Sequence, residues 1–143
     1  MMIMDISILF ENQHKSCLKK DTISMTTESQ TQTNAAAHYE QWPAKGKNMA
    51  AQTPEISQGF GGMFQKLMGE GALSVREKEL IAFGIGMALR CEPCIYSHVQ
   101  KCVKAGATRD QIIEAAGVVI TMQGGPAYVY TPKVLEALDA LGA

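Results

Sequence analysis

Ten consecutive residues, Leu80 to Leu89, carry no charge, and they end one residue short of a Cys-x-x-Cys pair. Such a run is too short to span a bilayer, which takes about 20 apolar residues. It follows Ser74-Val75-Arg76-Glu77, a capping box in which a serine and a glutamate three apart satisfy each other's backbone donors. The pattern predicts a helix from Ser74 to about Arg90, apolar on all sides and therefore buried at the centre of the fold. Gly84 and Gly86 within it allow another helix to approach closely.

The remaining segments from residue 35 onward read the same way. Ala35–Trp42 predicts a short helix stopped by Pro43. Thr53-Pro54-Glu55 supplies an N-cap, a proline at the first helical position and an acid in the first turn. The helix behind it carries Ile56, Phe60, Phe64, Leu67 and Met68 at helical spacing, weakened by Gly59, Gly61 and Gly62. A further helix starts near Cys91 and ends at Gly106, with Cys94, Ile95, His98, Val99, Cys102 and Val103 forming one stripe. Thr108-Arg109-Asp110-Gln111 is a second capping box, opening a helix with Ile112, Ile113, Ala116, Val119 and Ile120. Gly124-Gly125-Pro126 ends that helix. A last one holds Val134, Leu135, Leu138 and Leu141, with Pro132 as a kink or a restart. Strand-like alternation is confined to Ala127–Tyr130, so the expected fold class is all-α.

Composition bounds the function. The chain has 143 residues, 46% of them hydrophobic, with a net charge of −1, which suits one domain with a real core. Near-neutral charge without a basic stripe argues against nucleic-acid binding, and no segment reads as a membrane span or an export signal. A reducing cytoplasm is therefore the expected compartment, and there a Cys-x-x-Cys pair points to redox or metal chemistry rather than a structural disulfide. Residues 1–34 read as a flexible polar extension or a mis-assigned start, with Met25 as an alternative first residue. Residues 35–143 read as the all-α domain. Cys17, in the extension, is given no role.

The chemistry sits in Cys91-Glu92-Pro93-Cys94-Ile95-Tyr96-Ser97-His98. Two cysteines three apart at a helix start share a face and can close a disulfide. First-turn N–H groups and the helix dipole favour a thiolate there. Pro93 is tolerated in the first turn, where its missing N–H has no partner to lose. His98 lies one turn after Cys94 on the same face and can exchange a proton with a thiol or a leaving group. Glu79 is the acid that directly precedes the charge-free run of this helix. Packed against the cysteine helix, it either orients His98 or serves as a base. Cys102 continues the same face but, as a lone cysteine, reads as packing.

Glu79, eleven intervening residues, Cys91-x-x-Cys94, three more residues and His98 together resemble the signature of the alkylhydroperoxidase D-like family, within the carboxymuconolactone decarboxylase superfamily. The charge-free stretch, the Ala105-Gly106-Ala107-Thr108 turn, the Gly124-Gly125-Pro126 break and the Leu135-Glu136-Ala137-Leu138 segment are similar too. The likeness covers roughly residues 47–141. It implies an all-helical domain assembled as a trimer or hexamer, and a cysteine pair that cycles between dithiol and disulfide. It also implies a Glu79–His98 proton relay, no cofactor, a hydroperoxide or other small oxidant as substrate, and a lipoyl- or thioredoxin-like dithiol protein as reductant. Pro93 stands where the peroxidase prototype carries a second histidine.

Three other readings remain open on the residues alone. One is a zinc site built from Cys91, Cys94 and His98, with Cys102 or Glu79 as a fourth ligand. Another is a muconolactone-type decarboxylase, and the third a redox-sensing assembly module.

Overall fold

The computed structural model describes residues 33–143. Met25, Cys17 and all but the last two residues of the expected extension lie outside the described residues. The two that are described begin a helix: Thr33 Oγ1 accepts from the Ala36 N–H, capping α1 (Asn34–Gln52). The other elements are α2 (Pro54–Met68), α3 (Val75–Ala88), α4 (Glu92–Lys104), α5 (Arg109–Gln123), α6 (Gly125–Tyr128) and α7 (Thr131–Leu141). The described residues contain no strand, and the fold is all-α.

Both capping boxes form as their sequences predict, at Ser74–Glu77 and Thr108–Gln111. The most extensive helix contact is between α3 and α4, with α7 and α5 packed on either member of that pair. Phe83 and Met87 of α3, Ile95, Val99 and Cys102 of α4, Ile112 of α5, and Val134 and Leu138 of α7 are fully buried. A tight turn makes the α3–α4 hairpin. The Arg90 N–H bonds to the Met87 carbonyl and the Cys91 N–H to the Gly86 carbonyl, leaving Arg90 at φ 56°. This is the Schellman arrangement, here with arginine at the left-handed position where glycine is usual. It ends α3 at Ala88, two residues before the expected stop at Arg90.

Gly86 sets the spacing of the hairpin. A Cβ built on it falls 3.0 Å from Cys94 Cβ. In an open helix Gly→Ala stabilises by roughly 0.5–1 kcal/mol. Here Gly86→Ala is expected instead to cost about 1–3 kcal/mol through overpacking, seen as a lowered Tm, because the disulfide-bonded Cys94 cannot swing aside.

Several expectations are corrected. Pro43 does not stop α1, which runs through it. The missing N–H leaves the Tyr39 carbonyl without its helical donor, a loss of about 3 kcal/mol in an isolated helix. Tertiary contacts hold the first half in place. Ala35 is buried, and Tyr39 Oη donates to the Tyr96 carbonyl at 3.0 Å. The α3 helix is not buried all round: Glu79, Phe83, Gly86 and Met87 face inward, while Ile81, Ile85 and the following Leu89 are exposed, because the neighbouring helices among the described residues cover only one side. The apolar stripe of α2 is likewise uncovered, with Ile56, Phe60 and Leu67 exposed and no residue of the helix buried. Ala127–Tyr130 is no strand. Gly124, at φ 68°, turns the chain into the short helix α6. Thr53 precedes α2 as expected, but its hydroxyl donates back to the Met49 carbonyl at 2.8 Å instead of capping forward. No helix among the described residues is long and apolar enough to cross a membrane.

Candidate active site

The antiparallel α3–α4 hairpin assembles the site. Glu79 and Gly86 are seven residues apart, two turns on one face of α3. Gly86 backs Cys94, and Glu79 meets His98 one turn further along α4. All four residues singled out in the sequence are therefore brought to one seam.

Cys91 and Cys94 are joined in a disulfide, with Cα atoms 5.1 Å apart. Cys91 is the N-cap of α4, Pro93 lies in its first turn, and Cys94 is the third helical residue. The positive end of the helix dipole thus acts on both sulfurs, favouring a thiolate once the bond opens.

His98 Nδ1 lies 2.7 Å from Glu79 Oε2. The Glu79 side chain is 5% exposed and that of His98 16%. An ionised carboxylate can only accept, so Nδ1–H donates to it, which leaves Nε2 as the basic nitrogen. A carboxylate buried this deeply needs such a partner. The pair thus ties the two helices of the hairpin together and fixes the orientation of the imidazole. Phe64 of α2 leans on the imidazole with ring centroids 6.4 Å apart, and Lys101 Nζ sits 4.3 Å above the Phe64 ring. Lys101 thus helps hold the aromatic cover of the site.

Cys102 is fully buried, as its reading as packing implies. Burial, with the Glu79 carboxylate nearby, pushes its thiol up to about 12. A thiol so rarely ionised is a poor nucleophile. Among the described residues, no three His, Cys, Asp or Glu side chains converge as a metal-ion site.

The sequence reading missed several contributors. Tyr96, at the edge of the expected stripe, is 2% exposed, and its hydroxyl donates to Glu92 Oε1 at 3.0 Å. Glu92 also pairs with Lys133 of α7. His38 of α1 reaches Ser97 Oγ through Nε2 at 3.1 Å. Burial, followed by the charge of Lys45, holds the His38 imidazole below its ordinary value, against the opposing pull of Glu92. Tyr96, one turn after the acid Glu92 at the helix start, was the local signal for this cluster.

Comparison with known proteins agrees with this architecture. An uncharacterized protein of Cupriavidus necator is 33% identical over 90 residues, 63% of this chain and 80% of that protein. Uncharacterized protein 4 in the cox locus of Paracoccus denitrificans is 36% identical over 86 residues, 60% of this chain and 78% of that one. A carboxymuconolactone decarboxylase family protein from Legionella pneumophila, solved in its apo form, superposes with a TM-score of 0.71 at 31% identity, covering 76% of this chain and 97% of its own. A protein of the same family from Thermotoga maritima, described as a candidate for an antioxidative response, superposes with a TM-score of 0.57 at 26% identity, covering 61% and 90%. The family profile itself matches residues 54–141, which include the whole hairpin and its disulfide. On its sequence and its fold, the chain belongs to the carboxymuconolactone decarboxylase family.

Proposed function

We propose that the protein is a thiol-dependent peroxidase, in which Cys91 and Cys94 reduce a hydroperoxide and the Glu79–His98 pair moves the protons. The observation that carries this reading is the buried 2.7 Å Glu79–His98 contact on the same helix hairpin as the disulfide.

In the reduced state His98 Nε2 takes the proton of the attacking thiol, and the imidazolium is stabilised by Glu79. The thiolate attacks the terminal peroxide oxygen, the O–O bond breaks, and the alcohol leaves with the proton returned by His98. The resulting sulfenic acid is attacked by the second cysteine. The S–S bond forms and water leaves. One hydroperoxide and two thiols thus give one alcohol, one water and the observed disulfide. An external dithiol, lipoyl- or thioredoxin-like, then closes to its own disulfide and restores the pair.

The expected setting is the cytoplasm, with no cofactor needed. The exposed apolar faces of α2 and α3 support a homo-oligomer, trimer or hexamer, since contiguous surface of this kind is seldom left open. The test is hydroperoxide consumption by the full chain, with dihydrolipoamide as reductant. Turnover far above the reductant alone is expected. Consumption no faster than the reductant alone overturns the peroxidase reading.

A further inference from the structure

Glu92 stands between the two cysteines and opens α4. Both of its oxygens are engaged: Oε1 accepts from Tyr96 Oη at 3.0 Å, and Oε2 lies 3.4 Å from Lys133 Nζ of α7. Lys133 also reaches Glu136 Oε2 at 3.5 Å. Glu136 Oε1 accepts from the Ala35 N–H at the head of α1, at 2.9 Å. One ammonium therefore serves two carboxylates beside the cysteine turn. On α1, His38 and Lys45 face the same groove of about 310 Å³ that Glu92, Pro93 and Tyr96 line.

We infer that the Glu92–Lys133 pair sets the reduction potential of the Cys91–Cys94 disulfide, with the two charges acting in opposite directions. The inference rests on the reading that this disulfide opens and closes. Reduction converts it to a dithiol that is partly thiolate, so any charge that favours thiolate favours the reduced form and raises the potential. Glu92 directly follows Cys91 in sequence and lies two residues before Cys94, so its negative charge disfavours thiolate. Lys133 cancels much of that field and also offsets Glu136. Both residues act through their charge and touch no substrate, so they are positioning residues. Tyr96, buried beneath them, keeps the Glu92 carboxylate in place.

The test equilibrates the full chain in graded mixtures of reduced and oxidised dithiothreitol at pH 7, then quenches with acid and reads the dithiol fraction by alkylation and mass. In this exchange the Cys91–Cys94 S–S bond breaks as the reagent closes to its own disulfide. Two electrons and two protons pass to the protein. Glu92→Gln is expected to favour the reduced form about tenfold, close to 30 mV for a two-electron couple, and Lys133→Met to disfavour it by a similar factor. Lys133→Arg should stay within about twofold of the parent, because the charge is kept. Shifts of the same sign in Glu92→Gln and Lys133→Met, as loss of a mere structural clamp gives, overturn the inference, and so do values unchanged within twofold. A disulfide that opens in none of the mixtures overturns the redox reading along with it.

Discussion

Cys94→Ser is expected to lower hydroperoxide turnover on the order of 10³-fold or more, the effect of removing a nucleophile. Cys91→Ser should abolish turnover as well, but for a different reason. Cys94 sits inside the first turn of α4, one turn ahead of His98 and pressed against Gly86, whereas Cys91 is the N-cap. In the proposed mechanism Cys94 therefore takes the attack and Cys91 the resolving step. Without Cys91 the first half-reaction still runs, and sulfenic acid accumulates on Cys94, where a dimedone adduct records it. Without Cys94 no adduct forms. An adduct on Cys91 in the Cys94→Ser protein would reverse the assignment, and full turnover by either variant would remove the pair from the mechanism.

The second large effect concerns Glu79. Glu79→Gln keeps the shape and offers a carbonyl oxygen to His98 Nδ1–H, so the seam stays filled and stability should fall by only about 1–2 kcal/mol. What is lost is the negative charge that stabilises the imidazolium. Turnover is expected to drop about 10²-fold, within the usual range for an oriented general base. Initial rates and thermal unfolding of the same preparations separate the two effects. A rate within threefold of the parent would show that Glu79 serves the hairpin only as a structural tie.

Where the chemistry depends on local signals, the sequence already displays it. The capping boxes at Ser74 and Thr108 are four-residue patterns and form as read. Cys91, Cys94 and His98 share a helix, so their spacing alone puts them on one face. Glu79 meeting His98 required only that two consecutive helices fold back on each other. What stayed hidden depends on contacts distant in the chain. The passage of α1 through Pro43 follows from Tyr39 and Ala35 docking on α4 and α7, which outweighs a local propensity. The Glu92–Lys133 link joins residues 41 positions apart, and nothing around Lys133 marks it. The apolar faces of α2 and α3 misled in the other direction. Their periodicity announces burial, but among the described residues Ile56, Phe60 and Leu67 of α2 and Ile81 and Ile85 of α3 stay exposed.

The most direct test of the account is differential alkylation of the tryptic peptide Cys91–Lys101, which carries both cysteines of the pair and no other. The reduced protein is labelled before and after a small excess of organic hydroperoxide. The account predicts two labelled cysteines before treatment. After it, the account predicts an unlabelled peptide two hydrogens lighter than the dithiol, with Cys102 unreactive in the folded protein throughout because its thiol is pushed up to about 12. If Cys91 and Cys94 both remain open to alkylation after peroxide treatment, the peroxide does not oxidise the pair, and the central claim is contradicted.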